Sequence, residues 1–549
     1  MPQPTLPPGT DDFARLYLTG ELKDFFPLPP GDTDAALGIT RPEGRTELCR
    51  GLRAHAERLG APLPVLEAIE RLAQPRSRAV VTGQQTGLLL GPSYTLSKAV
   101  SAIGLARRLD TQERPVVPVF WMASQDHDTH EIDYAYLLDE SEHLARLELP
   151  LPSGVPAGRI PLQGAWLEHI ASEIGGLDFP REHRAEVLEL LRRTAGRART
   201  FADWFAALLY ELLGSEGLIV LDPLEPGIAP LFAPVLAGEL RRPLASSKAV
   251  NEAGARLRAL GLDPQLGRGE DATNLFLEER GTTEQGSGIG GRGTIEREFG
   301  RDADEGPQRQ LLRTDGNTFW SEARSYGADE LLDILASEPA RLTPAAGLRP
   351  ITQDAVLPTA VTVVGPGELR YFAQLGGVYQ LFDVAMPLIW PRTQVTVLEP
   401  PVRRMLDKFG LSYAELAHDF GGCRDRILLE LSGHGESFRE TLAALQASCA
   451  ALLQDVRAID PTLAGSVERG EAHIGRTLAI LQNKSAAALA RQESTYARQW
   501  RRLERHLFPE GTPQERLISP FSFFLKFGIT PVLRAFLELP PSGEQVVRL

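Results

Sequence analysis

What most limits the folds open to this chain is a pattern that recurs between residues 79 and 392. A short, largely β-branched run ends in a loop rich in glycine or polar residues, and a helical segment usually follows. Ala79-Val80-Val81-Thr82 leads into Gly83-Gln84-Gln85-Thr86-Gly87 and then a helical stretch near residues 94–109. The run over residues 116–123 leads into Ser124-Gln125-Asp126-His127-Asp128. Leu218-Ile219-Val220-Leu221 leads into Asp222-Pro223, and the run over residues 360–364 leads into Gly365-Pro366-Gly367-Glu368 and a helix. Pro387-Leu388-Ile389-Trp390 leads into Pro391-Arg392. Runs apolar on both faces that alternate with helices predict an α/β chain with a parallel, doubly wound sheet. Ligands bind such sheets beyond the carboxyl ends of the strands, where this chain keeps its least ordinary residues. The pattern predicts an enzyme with these loops lining one cleft.

The flanking segments follow other rules. Residues 45–59 and 65–72 carry apolar positions at helical spacing, so the chain up to about residue 75 is expected to be mostly helical. Residues 145–200 read as an insertion followed by helices. Residues 280–310 contain Gly281, Gly286, Gly288, Gly290, Gly291 and Gly293 amid many charges and read as a mobile surface loop without function. Beyond residue 398, Leu442, Leu445, Cys449, Leu452, Val456, Ile459 and Leu463 recur at steps of three and four. Asp460-Pro461 interrupts them, with the aspartate suited to cap a new helix and the proline to its first turn. The stripe resumes at Val467, Ile474, Leu478 and Leu481 and runs toward Leu489, Tyr496 and Leu503. This predicts a long helical hairpin of coiled-coil character, packed within the chain or against a second copy.

A chain of 549 residues, 43% of them hydrophobic, is long enough for two or three structural units. Its net charge of −14, with no concentrated basic face, argues against a nucleic-acid partner. Cys49, Cys423 and Cys449 are too few and too scattered for a disulfide framework, and no CxxC pair offers zinc spacing. No run reaches the roughly 20 apolar residues of a membrane span, and the N-terminus carries no leader pattern, so a cytoplasmic protein is expected.

Three loops can carry chemistry. In the stretch from Val81 to Lys98, Gly83, Gly87 and Gly91 let backbone approach a ligand, and Gln84, Gln85, Tyr94 and Lys98 supply polar groups. The glycine spacing fits neither a Walker A loop nor GxGxxG, so the loop is either a ligand cradle or a tight structural turn. In the second loop His127 lies between Asp126 and Asp128, with Ser124 before it and His130 and Glu131 after it. Such a histidine can be a base held in its tautomer by an acid, a metal ligand, or part of a solvated helix start. No HExxH spacing accompanies it. In the third, Gly365, Gly367 and Glu368 with Tyr371 can hold an amine or simply turn a strand into a helix. Arg392 can bind a carboxylate or phosphate with its fork, or pair with an acid.

At these loops the sequence resembles the cysteine-adding (cysteine ligase) family of bacillithiol biosynthesis. The matching stretches are residues 81–98, 118–128 and 353–374, Pro391-Arg392, the helical hairpin, and Leu507-Phe508-Pro509 with Gly511 and Gln514-Glu515-Arg516. The resemblance implies a Rossmann-like core similar to class I aminoacyl-tRNA synthetases, with connecting-peptide insertions at about 145–200 and 263–350. It implies a core over residues 1–400, a coiled-coil domain over 401–508 that supports a homodimer, and a segment over 509–549 packing back on the core. It also implies amide formation between cysteine and the amine of glucosaminyl malate, with ATP as the expected cofactor and no metal. HxGH and KMSKS are absent, and Ser246-Ser247-Lys248 is a faint echo of the latter. In this reading His127 is the base, oriented by Asp126 or Asp128. Gly83, Gln84, Gln85, Gly91, Tyr94, Ser124, Gly365, Gly367, Glu368 and Tyr371 hold substrates, and Lys98 or Arg392 offsets negative charge. The competing reading is a nucleotide-responsive dimeric scaffold with a degenerate core.

Overall fold

A computed structural model describes residues 12–42, 44–279, 306–492 and 494–549. Its strands begin with β1 (Arg78–Gln84), β2 (Val116–Met122), β3 (Tyr134–Leu138), β4 (Leu144–Glu148) and β5 (Ile219–Leu221). An inserted group follows: β6 (Ala272–Glu279), β7 (Gln308–Thr314), β8 (Phe319–Trp320), β9 (Ser325–Tyr326) and β10 (Leu342–Pro344). The last are β11 (Thr359–Val364), β12 (Leu388–Pro391), β13 (Gln394–Leu398) and β14 (Glu544–Arg548).

The central sheet has the order β12-β11-β1-β2-β5 and is parallel throughout. Numbered among themselves, these strands run 5-4-1-2-3, the Rossmann order, whose direction reverses between β1 and β11. Both faces are covered. Val80 packs with Ala102, Leu105 and Leu109 of the helix Tyr94–Leu109, while its neighbours Ala79 and Val81 join the larger core on the other side. Every residue of β2 and β11 is buried, so these runs read as continuously apolar rather than alternating. Burial of each such Val or Leu contributes about 1.5–3 kcal/mol.

The chain between β5 and β11 builds a second, antiparallel sheet, β10-β6-β7-β8-β9. The glycine-rich residues 280–305 lie outside the described residues. The rest of the expected loop does not: residues 308–310 begin β7, and the assumption that this stretch has no part in the site is corrected below. A local alternation of buried side chains there was masked by the neighbouring glycines and charges.

After β13 the chain enters helices. Gly435–Ile459 and Ala464–Gln492 form the predicted hairpin, with Pro461 opening the turn and the Asp460 carboxylate accepting the Thr462 N–H at 2.8 Å. Leu445, Cys449, Leu453, Val456, Val467 and Leu478 are half-buried, whereas Leu442, Leu452, Ile459, Leu463, Ile474, Ile480 and Leu481 are exposed. At the base, Phe409 stacks on Trp500 with centroids 5.6 Å apart, and Phe420 meets both Trp500 and Phe508 edge-on. The final segment then returns to the core, where β14 pairs with β13. No described helix is long and apolar enough to cross a membrane.

Candidate functional site

A cavity of about 720 Å³ opens at the reversal point, at the carboxyl edge of the central sheet. Residues from the loops after β1, β2 and β11 all line it, and Arg268, Phe276, Arg309 and Arg349 complete it from the inserted region.

The loop after β1 is held by its own residues. A Cβ on Gly83 would come within 2.8 Å of the Trp121 carbonyl oxygen, so only glycine lets β1 lie this close to β2. Leu89, Leu90 and Gly91 all have positive φ, a costly path for two leucines. The C-terminal segment fixes it: the Ser519 hydroxyl donates to the Leu89 carbonyl, and the Ser93 N–H donates to the Ile518 carbonyl, both at 2.8 Å. Gly91 therefore serves the turn and does not line the cavity.

Lys98 is buried and donates to the Gly83 carbonyl at 2.8 Å and to Gln84 Oε1 at 2.9 Å, while its Nζ lies 2.5 Å from Glu368. Gln84 in turn donates to the Tyr94 hydroxyl at 3.1 Å. Burial pulls the Lys98 ammonium below its usual range, and Glu368 opposes that pull. Arg392 is likewise buried and grips Glu515 with both ends of its fork, at 2.7 and 2.6 Å. Glu515 also accepts the Val395 N–H at 2.9 Å. Both cations line the cavity, as expected from the sequence, but neither enters it as an unpaired charge. Each sits against a carboxylate brought from a distant part of the chain, a pairing that spacing in sequence does not reveal.

Ser124 is also displaced from its expected role. It is buried beneath the cavity, its hydroxyl hydrogen-bonded to Asp222. The residues beyond it do face the cavity. The Asp126 carboxylate accepts the His127 N–H at 2.8 Å and the Gln85 side-chain amide at 2.8 Å. That same amide reaches Glu131 at 2.5 Å, so Gln85 bridges two carboxylates. Asp128 is exposed.

His127 meets neither aspartate through its ring. Asp126 Oδ1 stands 3.8 Å from Nδ1, whereas Arg309 Nη1 lies 3.2 Å from it. Arginine only donates, so Nδ1 carries the lone pair and the neutral ring keeps its proton on Nε2. Burial, and then the Arg309 charge, hold the imidazole below its ordinary pKa, with Asp126 and Asp128 opposing. The ring is thus oriented by an arginine and not, as expected from sequence, by an acid.

In the loop after β11, Glu368 folds back to accept the Gly365 N–H at 2.8 Å. Tyr371 accepts from Arg349 Nη2 at 3.0 Å, and Gly367 has open space around it. Sequence reasoning missed Gln125, Glu131, Arg268, Arg309, Arg349 and Arg516 in the lining. Glu131 lay in the acidic run already noted and Arg516 in the Gln514-Glu515-Arg516 stretch, but Arg268, Arg309 and Arg349 come from elements with no motif. Ser246-Ser247-Lys248 lies away from the cavity: Ser246 donates to Glu239, Ser247 to the Ala272 carbonyl, and Lys248 is exposed.

Among the described residues, one cluster has the donors for a cation: His55, Asp203 and Asp222, all buried, with ligand atoms within 4.8 Å of one another. Arg58 already pairs with Asp203 at 2.8 Å. Burial pushes the Asp222 carboxyl up to about 6, and burial with Arg58 pulls His55 down to about 4. The residues flanking the reversal point do not fit a nucleotide's phosphates, because Lys98 and Arg392 are each committed to a carboxylate.

Fold and cavity together define a Rossmann-like protein with a helical hairpin and a cavity lined by charged and polar residues at the reversal point of its sheet. Family models described as bacillithiol biosynthesis BshC match it twice, the N-terminal Rossmann-like domain over residues 15–393 and the C-terminal coiled-coil domain over 395–545. The chain is 37% identical to a "Putative cysteine ligase BshC" of Thermus thermophilus, across 95% of this chain and 98% of that one. Proteins of the same name from Salinibacter ruber and Geobacillus kaustophilus are 33% and 31% identical, covering 95% of this chain and 93% and 94% of theirs. The chain belongs to the BshC family of bacillithiol biosynthesis.

Proposed function

We propose that the protein is a ligase that joins cysteine to the amine of glucosaminyl malate by amide formation, in the cytoplasm. The observation that carries this reading is the division of the one cavity. Asp126, Asp128 and Glu131 enter from the β2 loop, and Arg268, Arg309 and Arg349 from the inserted region. Such a site suits substrates that bear both an amine and carboxylates. All three cysteines are free thiols, which fits a reducing compartment.

A carboxylate is a poor acyl donor, so cysteine reacts in an activated form, and ATP is the activating reagent expected from the family. The cations flanking the reversal point are already paired with carboxylates. For the acyl transfer itself, the amine nitrogen bonds to the acyl carbon, the bond to the leaving group breaks, and the amine proton passes to Asp126. Glu131, held to Asp126 through Gln85, draws the amine to this side of the cavity. The His127 Nε2–H donates to the acyl oxygen as negative charge develops there.

Purified protein incubated with cysteine and glucosaminyl malate, with and without ATP, tests the reading by mass spectrometry. A product heavier by one cysteinyl residue supports it, and the ATP arms decide whether the nucleotide is consumed. Absence of product in every arm from folded protein rejects it and leaves the scaffold reading.

A further inference from the structure

The cations of the cavity fall into two groups. Lys98 and Arg392 each touch a carboxylate. Among the described residues Arg268, Arg309, Arg349 and Arg516 touch none, and the first three come from the chain between β5 and β11. Arg309 is buried, and its guanidinium bonds only neutral acceptors: Thr343 Oγ1 at 2.9 Å, the Pro344 carbonyl at 3.0 Å and His127 Nδ1 at 3.2 Å. It lies 3.9 Å over the Phe276 ring. Since a guanidinium has five N–H donors, about two remain open. The nearby acids make no direct contact with it: Glu278 pairs through one oxygen with Arg159 at 3.0 Å, and Asp126 accepts from Gln85 and the His127 backbone. Arg268 has a buried Nε without a partner. Arg349 donates to the Tyr371 hydroxyl at 3.0 Å and to Gln353 at 3.1 Å, both uncharged.

Asp126 and Glu278 act on Arg309 without touching it, and a buried cation with no carboxylate in direct contact is costly, a cost arginine cannot escape by discharging itself. Burial does pull Arg309 down, to about 10, which still leaves it charged at neutral pH. A ligand that brings the missing negative charge, with flat oxyanion edges matching the guanidinium fork, relieves that cost.

We propose that Arg309, with Arg268 and Arg349, forms an anion subsite that takes the two carboxylates of the acceptor's malyl group. Multiple guanidiniums from separate elements fit a dicarboxylate better than the single carboxylate of cysteine. This assignment rests on the acceptor named under the proposed function, and it makes the inserted sheet the part of the chain that selects the acceptor. An inorganic or nucleotide phosphate shares the oxyanion chemistry, so the test separates the sources.

Full-length protein is titrated by calorimetry at fixed ionic strength with glucosaminyl malate, and separately with L-malate, L-cysteine and inorganic phosphate. Glucosaminyl malate is expected to bind and L-malate to compete with it. R309M and R268M should each weaken the binding about ten-fold or more, as loss of a charged hydrogen bond does. R313M, an arginine of the same strand paired with Asp271 outside the cavity, should leave affinity unchanged. Unchanged affinity in folded R309M and R268M overturns the proposal, and so does phosphate or cysteine displacing glucosaminyl malate as well as L-malate does. Should R309M not fold, R268M and R309K carry the decision, the lysine keeping charge but losing the fork. Arginine-dependent malate binding without ligation sinks the ligase reading and leaves the subsite standing. Ligation with an unaltered KM for glucosaminyl malate in R309M does the reverse.

Discussion

Lys98 and Glu368 meet at 2.5 Å across the reversal point of the sheet, tying the helix after β1 to the loop after β11. Lys98 is almost fully buried, and Glu368 keeps 23% of its side-chain exposure. Removing one member of such a pair strands the other. Lys98→Met and Glu368→Gln are each expected to lower stability by about 3 kcal/mol, while the double variant recovers part of that loss. Urea unfolding of the three proteins measures it, and additive losses would show that the two residues do not depend on each other.

The parallel sheet was legible because its strands are apolar on both faces and each ends in a marked loop. The helical hairpin was legible from its three-and-four spacing and from Asp460-Pro461. The cavity's partnerships were not. Glu515 lies 123 residues from Arg392 along the chain, and Arg309 lies 182 from His127, so nothing in local spacing announces either contact. Arg309 follows a glycine-rich, charged run and belongs to no motif of its own. Gly91 and Ser124, expected from sequence to hold substrates, instead shape the turn and hydrogen-bond Asp222 beneath the site.

The hairpin leaves Leu442, Leu452, Ile459, Leu463, Ile474, Ile480 and Leu481 between 40% and 80% exposed in a single chain. A row of this kind is expected to be covered by a second copy, because long exposed apolar stripes mark interfaces. Light scattering at micromolar concentration should give a dimer mass. The paired change Leu452→Glu with Leu481→Glu should give a monomer of unaltered helix content. A monomeric wild-type chain would dispose of the dimer.

His506 gives the base of the helical domain a pH dependence. It is buried with Nδ1 3.2 Å from Glu399 and Nε2 3.9 Å from Glu142, and Lys526 and Arg502 stand on the same carboxylates. Burial lowers its pKa, but the two glutamates outweigh burial, so the folded value lies above the usual one. The stabilisation is therefore complete below the unfolded pKa of about 6.5 and is lost as pH rises through the folded value. Thermal unfolding from pH 6 to 9 should show wild type losing stability relative to His506→Gln across that window. Parallel curves would remove His506 from the account.

His127 separates two chemical roles that sequence alone left joined. With Arg309 on Nδ1, the ring offers a proton at Nε2, so His127→Ala should lower turnover about 10²-fold, as loss of a single oxyanion donor does. His127→Gln retains an N–H and should restore part of that rate, whereas a general base would be lost equally in both variants. The ring's charge is set by burial, by Arg309 from β7 and by Asp126 and Asp128 on its own loop, with the uncharged Phe276 ring packed beside it. Because Arg309 is one of the two influences that depress the imidazole pKa, Arg309→Met should raise it. An NMR titration of the His127 ring in wild type and Arg309→Met reads the same shift without turnover. An unmoved imidazole pKa, together with equal losses in His127→Ala and His127→Gln, would return His127 to the role of base and break its tie to Arg309.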